Sequence, residues 1–251
     1  MCLIAFAFSP DSDLKLVLAA NRDEFHARPA RPMAFRDWPD GALAGLDEQA
    51  GGTWLAATRS GRWAAVTNFR DPQASVGERS RGELPLEFLS EPRAASEFAR
   101  EVYQRRDQYA PFNLLVGDGR SLTYCGTHAE PVAVAPGVHA LSNGLLDAAW
   151  PKSRRVVKAL QGIVRGGGKP DPARLFELMN DRTPAAADEL PDTGVGSDIE
   201  RFLSPPFIVS DHYGTRCTTV ALLGQRCRLV ERSFAPDGSI IGEVDHRLAG
   251  P

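Results

Sequence analysis

The sequence predicts an α+β fold in which antiparallel sheets carry helices on their outer faces. Short apolar and β-branched segments, joined by turn residues, occur in three blocks along the chain. Two blocks with helical periodicity separate them, near residues 82–106 and 150–180. Strands and helices segregated in this way are typical of helices packed against antiparallel sheets. Because no linker or internal repeat interrupts the pattern, residues 1–251 are predicted to form one domain.

The first strand and its partner are predicted from the N-terminal residues. Residues 2–8 form a nearly continuous apolar run, which is expected of a strand buried on both faces. A returning strand over 14–20 ends in the polar stretch Asn21-Arg22-Asp23-Glu24. Antiparallel pairing would therefore bring this polar end beside Cys2. The Pro- and Arg-rich residues 26–45 are predicted to be irregular.

The later elements follow from period-2 or period-3.6 patterning and from turn residues between them. Strands are predicted at 53–58, 63–68, 112–117, 121–125, 132–134, 138–142, 218–223, 227–234 and 239–245. Helices are predicted at 82–90, at 93–106, from Pro151 to the glycines at 166–168, and at 172–180. The polar segment 182–206 is predicted to be a connector without regular structure.

Composition excludes several classes of function. The net charge of −3 and pI near 6.0 give no basic field, so nucleic acid is not an expected partner. The N-terminal apolar run is too short to span a membrane and lacks signal-peptide flanks, which predicts a cytoplasmic protein. The four cysteines and five histidines show no metal-binding spacing, so no metal site is predicted. Arg79 and Arg81 are predicted to lie on a solvated surface.

Cys2 is the first candidate for chemistry. If Met1 is removed, Cys2 carries both a thiol and a free α-amine. Since an α-amine has a pKa of about 7.7–8.0, it can act as a base toward its own thiol at neutral pH. By itself, however, a cysteine at this position is more often a small buried apolar residue.

Polar residues at predicted strand ends complete a candidate site. Asp23 could orient the α-amine of Cys2, while Asn68 and Asn143 end two strands and could donate to a developing oxyanion. Taken alone, each asparagine is more typical of an ordinary turn. Arg216 precedes an apolar strand, either as a surface cation or as a charge that lowers the pKa of the thiol.

These motifs occur together in the order typical of one family. Besides Asn21-Arg22-Asp23-Glu24, the matching stretches are Met1-Cys2, Gly51-Gly-Thr-Trp-Leu55, Thr67-Asn-Phe69, Ser80-Arg-Gly-Glu-Leu84, Leu141-Ser-Asn-Gly144 and Tyr213-Gly-Thr-Arg216. The sequence resembles the NRDE family of transport and Golgi organisation proteins. That family in turn resembles N-terminal-nucleophile (Ntn) hydrolases of the choloylglycine hydrolase and penicillin acylase type.

The resemblance implies a four-layer αββα sandwich. It also implies catalytic roles for Cys2, Asp23, Asn68, Asn143 and Arg216. The chain departs from the hydrolase pattern at one position, because those enzymes usually carry arginine three residues before the aspartate, where this chain has Ala20. Arg22 would lie on the same strand face as Ala20 and could fill the missing role, which leaves the activation of the thiol open.

Three functional readings remain open from the sequence. The first is a cysteine hydrolase acting on non-peptide amide C–N bonds of a small molecule, with Asn21, Trp54 and Phe69 contacting substrate and no cofactor. The second is a non-catalytic protein that binds a hydrophobic ligand such as haem or a lipid in the same cleft. The third is a protein-interaction module built on residues 28–39. The oligomeric state stays open, a homo-oligomer included.

Overall fold

Two antiparallel β-sheets stack face to face, and helices cover the outer face of each. The computed structural model describes residues 2–38, 41–74, 77–166 and 170–248. The strands are β1 (Cys2–Phe8), β2 (Leu14–Phe25), β3 (Ala30–Phe35), β4 (Leu43–Asp47), β5 (Leu55–Ala57), β6 (Trp63–Asn68), β7 (Phe112–Gly117), β8 (Leu122–Gly126), β9 (Ala129–Ala133), β10 (Gly137–Leu141), β11 (Tyr213–Gly224), β12 (Cys227–Phe234) and β13 (Ile240–Leu248). The helices are α1 (Glu83–Ser90), α2 (Ala95–Gln104), α3 (Pro151–Arg165), α4 (Pro172–Met179) and α5 (Ser197–Phe202).

The first sheet has the strand order β10-β1-β2-β11-β12-β13, and each neighbouring pair is antiparallel. Cys2 lies opposite Arg22 on β2, and Ile4 lies opposite Ala20. Side chains alternate along β1, so Ile4 joins the core between the sheets while Leu3 packs on the helix side. The predicted return of the polar stretch to the side of Cys2 is confirmed.

The second sheet is a seven-stranded meander in the order β3 to β9. Its inner face contributes Leu55 and Leu115 to the core that both sheets share. Its outer face packs against α1 and α2, just as α3 and α4 cover the first sheet. The four layers are therefore α, β, β and α, and the predicted fold class is confirmed. Among the described helices, none is long and apolar enough to cross a membrane.

Two segments that were predicted to be irregular contain regular structure, so these two predictions are partly wrong. Residues 26–45 contain β3 and the start of β4 (positions 39 and 40 lie outside the described residues). Pro32 is tolerated because β3 is the edge strand and its register shifts between Arg31 and Ala34. The connector 182–206 holds the short helix α5. Too little regular structure was therefore predicted in segments where proline and charged residues are frequent.

A close contact between two backbone segments holds together the loop before β5 and the loop before α1. The N–H of Thr53 donates to the carbonyl oxygen of Gly82 at 2.9 Å. A Cβ at Gly52 would lie 2.5 Å from the carbonyl carbon and oxygen of Gly82, which no ordinary packing allows. Glycine at position 52 is thus required for the loop before β5 to contact the loop before α1.

We expect Gly52→Ala to lower the free energy of unfolding by about 1–3 kcal/mol, because the added methyl group must displace backbone. The matched control is Gly162→Ala within α3, where an added Cβ meets no atom within 4 Å. That control should instead raise the free energy of unfolding by about 0.5–1 kcal/mol, since alanine favours the helix. Urea denaturation of both variants measures the two effects, and equal stability of Gly52→Ala and wild type would contradict the packing argument.

Candidate active site

A cavity of about 100 Å³ opens where the ends of β1 and β2 meet the loops of the second sheet. Carboxylates and guanidinium groups dominate its wall, with one aromatic ring. The lining residues are Cys2, Arg22, Asp23, Glu24, Arg28, Asp47, Ala50, Thr53, Trp54, Val66, Asn68, Ser80, Arg81 and Gly82. The site predicted from strand ends is therefore a physical space between the two sheets.

Cys2 begins β1 and is half-buried at the cavity. Its carbonyl oxygen accepts a hydrogen bond of 3.2 Å from the hydroxyl of Ser142, the residue directly after β10. This bond fixes the first described residue of the strand to the neighbouring strand. Burial raises the pKa of the Cys2 thiol, so a nearby base is needed for it to react as a thiolate at neutral pH.

Arg22 occupies the strand position directly opposite Cys2. Its guanidinium lies 4.5 Å from the centroid of the Trp54 ring, and its Nη2 is 3.4 Å from a carboxylate oxygen of Asp47. The side chain is 5% exposed, and no described residue accepts a hydrogen bond from its Nη1. On the other side of Arg22, Cys217 of β11 lies in the same row. Arg22 lines the cavity, and its Nη1 is a buried donor.

Asp23 lies on the face of β2 opposite to Arg22 and is 1% exposed. Its Oδ1 accepts a hydrogen bond of 2.7 Å from the hydroxyl of Thr215, and its carbonyl oxygen accepts one of 3.2 Å from Tyr213. Burial raises the pKa of Asp23, and the positive charge of Lys152 acts in the opposite direction. The carboxyl group is thus held rigidly next to the start of β1.

The two predicted asparagines belong to one hydrogen-bonded group, in which they have different roles. Asn68 ends β6 and its side chain lines the cavity. Asn143 is fully buried, and its Nδ2 donates to the carbonyl oxygen of Asn68 at 2.9 Å. The carbonyl of Asn143 in turn accepts from the N–H of Arg70 at 2.7 Å. Asn68 can therefore contact a bound molecule, whereas Asn143 fixes the backbone that presents Asn68.

The other predicted site residues are not brought to the cavity wall. Arg216 lies in a register shift of β11, and its Nη1 donates to the carbonyl oxygens of residues 25, 26 and 28 at 2.9–3.2 Å. Asn21 points to the helix side, where its Nδ2 donates to the carbonyl oxygens of Met179 and Pro206. Phe69 packs 4.4 Å from the ring of His128 and lines an adjoining groove instead.

Two cationic residues at or near the site were not predicted from the sequence. Arg81 is not a surface residue: it lines the cavity, and its Nη1 donates to the carbonyl oxygen of Pro111 at 2.9 Å. Burial lowers its pKa, and the Cys2 thiolate acts against that shift. Lys152 is buried in the first turn of α3. The motif Ser80-Arg-Gly-Glu-Leu84 could have indicated Arg81 as a site residue. No motif in the sequence indicated Lys152, which is a single lysine at the start of a helix.

Within the described ranges, no group of three or more His, Cys, Asp or Glu side chains is arranged to hold a metal ion. The four cysteines are free thiols. What the arrangement offers instead is one thiol, one buried carboxyl group and buried or half-buried guanidinium groups. A thiol, a carboxyl group and nearby cations are groups that nucleophilic catalysis can use.

Comparison with known proteins places this geometry in a family. A model of the family described as "Transport and Golgi organisation 2" matches residues 1–236. The chain belongs to that family. The Transport and Golgi organization protein 2 homolog of Bos taurus is 34% identical over 249 residues, covering 89% of this chain and 88% of that protein. The homolog of Homo sapiens is 32% identical over 246 residues, covering 89% and 88%.

The fold of this chain is similar to that of solved Ntn hydrolases. The C2A mutant of conjugated bile acid hydrolase from Clostridium perfringens superposes with a TM-score of 0.53 and 10% identity, covering 98% of this chain and 92% of that chain. The N-acylethanolamine-hydrolyzing acid amidase ortholog of Caenorhabditis elegans superposes with a TM-score of 0.50 and 10% identity, covering 88% and 92%. At this identity the likeness concerns the fold, and the resemblance predicted from the motifs is confirmed at that level.

Asp23→Asn is expected to unfold with a higher free energy than wild type at pH 7. Burial raises the pKa of Asp23 above the ordinary value of 3.8. The carboxyl group therefore favours the folded state when protonated, and this contribution is lost as the pH rises through the raised pKa. The difference between variant and wild type should shrink as the pH falls to 4, which urea denaturation at pH 4, 5.5 and 7 measures.

Asp118→Asn serves as the control with the opposite sign. Burial acts to raise the pKa of Asp118, but hydrogen bonds from Ser121 and Ala95 outweigh it and lower that pKa. Its stabilising contribution is present above the unfolded-state pKa and is lost on acidification, so Asp118→Asn should be less stable than wild type at pH 7. If Asp23→Asn is instead less stable than wild type at pH 7, the prediction is wrong, because the surroundings then stabilise the ionised carboxyl group of Asp23.

Proposed function

We propose that this protein is an N-terminal-nucleophile cysteine hydrolase that cleaves non-peptide amide C–N bonds, with Cys2 as the nucleophile after removal of Met1. The observation that carries the proposal is the position of Cys2. It starts the first strand at a cavity, with the Arg22 donor opposite it and the buried Asp23 carboxyl group beside the strand start. An α-amine at this residue would supply the base that the buried thiol requires.

The reaction follows from these groups. The neutral α-amine of Cys2 takes the thiol proton, and the thiolate attacks the amide carbonyl carbon to form a tetrahedral intermediate. The protonated α-amine then gives its proton to the leaving nitrogen as the C–N bond breaks, which leaves a thioester on Cys2. Water, deprotonated by the same amine, hydrolyses the thioester and restores the thiol.

Each neighbouring side chain has a role that its contacts support. Asp23 would hold and orient the α-amine, while the Asn68 side chain and the Arg22 Nη1 group would donate to the developing negative charge. Asn143 would act through Asn68, whose carbonyl oxygen it binds at 2.9 Å. Arg216 would also act indirectly, because its guanidinium binds the carbonyl oxygen of Arg28 and so fixes the backbone that carries this cavity residue.

The shape of the site favours a small amide head group with an apolar acyl part. The cavity of about 100 Å³ adjoins a groove of about 310 Å³, and Asn68 and Arg81 line both. Phe69, Pro72 and other apolar residues line the groove. The two structural neighbours are named for hydrolysis of conjugated bile acids and of N-acylethanolamines, which are amides with large apolar acyl groups. The second hypothesis from the sequence, a hydrophobic ligand such as haem bound without catalysis, uses the same cavity and groove and stays a proposal.

Cys2→Ala should lower the turnover of N-acyl amino acids or penicillins by more than about 10³-fold, because the variant lacks the attacking atom. Intact mass must first show that Met1 is absent from the wild-type protein. Cys227→Ala, a buried thiol on β12, is the control and should keep wild-type turnover. Retention of Met1, or turnover that survives in Cys2→Ala, would overturn the proposed mechanism.

Asn68→Ala is expected to lower kcat by about 10²–10³-fold with little change in KM, since it removes a donor to the transition state. Asn143→Ala should give part of the same loss, and the double variant should be no worse than Asn68→Ala alone. Asn180→Ala, an exposed position after α4, is the control for a general effect of removing an asparagine. Independent, multiplicative losses from the two asparagines would show that Asn143 does not act through Asn68.

A further inference from the structure

Arg81 is the cavity cation that the proposed mechanism leaves without a role. It lies in the loop before α1, and its Nη1 donates to the carbonyl oxygen of Pro111 at 2.9 Å. Within the described part of the chain, this neutral oxygen is the hydrogen-bond partner of its guanidinium, and no carboxylate forms an ion pair with it. Its Nε and Nη2 have no partner there and are not buried, so they are open to solvent. Arg81 therefore presents a positive charge and unused N–H donors at the site.

The other cations of the cavity wall are paired. The Nε of Arg28 lies 2.8 Å from Oδ2 of Asp47 and 3.9 Å from Oε2 of Glu24. The Nη2 of Arg22 lies 3.4 Å from the same Asp47 oxygen. The second oxygen of each carboxylate accepts backbone N–H groups, at 3.1 and 3.3 Å for Asp47 and at 2.9 Å for Glu24. Both carboxylates are thus engaged by groups other than Arg81.

Charges farther away act on Arg81 without pairing with it. The Cys2 thiol when ionised and the Glu24 carboxylate favour its charged form, and Arg28 opposes it. Glu24 is shared with Arg28, and the thiol is the proposed nucleophile, so neither occupies the donors of Arg81. Because a guanidinium is not deprotonated in proteins, the site holds a permanent cation here.

The loop that carries Arg81 is held in place on both sides. The carbonyl oxygen of Arg81 accepts from the N–H of Leu84 at 3.2 Å, and that of Gly82 accepts from the N–H of Thr53 at 2.9 Å. Arg81 lines both the cavity of about 100 Å³ and the groove of about 310 Å³. Charged residues dominate the cavity wall, whereas Phe69 and other apolar residues line much of the groove. The guanidinium is therefore fixed where a polar head group in the cavity would meet it.

We propose that Arg81 is a specificity-determining residue: it binds a carboxylate on the amine part of the substrate, so the protein prefers N-acyl amino acids to neutral N-acyl amides. This inference rests on the proposed function. A planar guanidinium donates two parallel N–H bonds to a carboxylate, and charge-assisted bonds are roughly twice as strong as neutral ones. The carboxylate would lie in the cavity at Arg81 while the acyl chain lies in the groove. A neutral head group leaves the charge of Arg81 unpaired.

The test compares two amides with the same acyl chain, N-octanoylglycine and N-octanoylethanolamine, on the full-length protein with Met1 removed. The two differ in a carboxylate against a hydroxymethyl group. The wild type should prefer the glycine conjugate about 10–100-fold in kcat/KM, since a bidentate charged bond is made to one amide alone. Arg81→Gln should bring the ratio of the two values to within about threefold of unity, mainly through KM. Arg81→Lys keeps the charge without the fork and should give an intermediate ratio.

Two controls separate a subsite from a general attraction for anions. Arg79→Gln removes a charge from the same loop, but Arg79 pairs with Glu83 and is absent from the described cavity wall, so the wild-type ratio should persist. The monoethanolamide of octanedioic acid carries its carboxylate at the far end of the acyl chain and should gain nothing from Arg81. An equal gain from that distant carboxylate would overturn the proposal.

Calorimetric titration of the Cys2→Ala protein measures binding without turnover. This protein should bind N-octanoylglycine about 10–100-fold more tightly than N-octanoylethanolamine, and adding Arg81→Gln should remove the difference. Equal affinity for the two amides, or binding of neither, would overturn the proposal, and this comparison needs no folded variant of Arg81. Selective binding without hydrolysis by the wild type would support the role of Arg81 and refute only the hydrolase function. Hydrolysis of both amides with equal kcat/KM would refute only the role of Arg81.

Discussion

The antiparallel register of β1 is the constraint on which the site depends. It sets Cys2 opposite Arg22, and it directs Asp23 to the other face of the same sheet. A slip of one residue would turn the thiol toward the helix layer and the guanidinium away from the cavity. The fully buried pairs farther along the two strands, such as Phe6 opposite Leu18, hold this register because their side chains fit only one face.

Hydrogen bonds between the two sheets fix the opposite wall of the site. Thr67 on β6 donates to the carbonyl oxygen of Ser142 at 2.7 Å, and Asn113 on β7 donates to the carbonyl oxygen of Gly144 at 2.9 Å. The hydroxyl of Tyr124 donates to the Asn113 Oδ1 at 2.8 Å, so the amide is oriented at both ends. All of these groups are buried, and breaking one bond would leave unpaired polar atoms in the core. This network sets the position of Asn143, and through it that of Asn68.

The parts predicted well from the sequence are those whose signal is local. The apolar run of residues 2–8 and the β-branched and aromatic residues of 63–68 specify strands directly, and the observed bounds agree. Cys2, Arg22 and Asp23 were found because the pairing of a short hairpin is easy to foresee. The roles assigned to the site residues stay predictions that the variants above can decide.

The parts that the sequence did not predict depend on contacts between distant segments. Lys152 lies in the first turn of α3, and its burial depends on the packing of α3 against the distant strand β1. The polar stretch 21–25 was not assigned to a strand, yet β2 continues through it because β11 pairs with it and satisfies its backbone. The guanidinium of Arg216 donates to backbone carbonyl oxygens of residues 25, 26 and 28, contacts that its sequence motif did not indicate, and its predicted role stays a prediction.

The row formed by Cys2, Arg22 and Cys217 has a consequence for oxidation. Two strand spacings separate the two thiol-bearing strands, about 10 Å, and a disulfide needs its Cα atoms within about 7 Å. Arg22 therefore keeps Cys217 from serving as a resolving thiol. A sulfenic acid on Cys2 would not be converted to an internal disulfide with Cys217, and its reduction would depend on a thiol supplied from solution. The same strand order that places Cys2 at the cavity thus leaves reduction of an oxidised Cys2 to thiols in the surrounding medium.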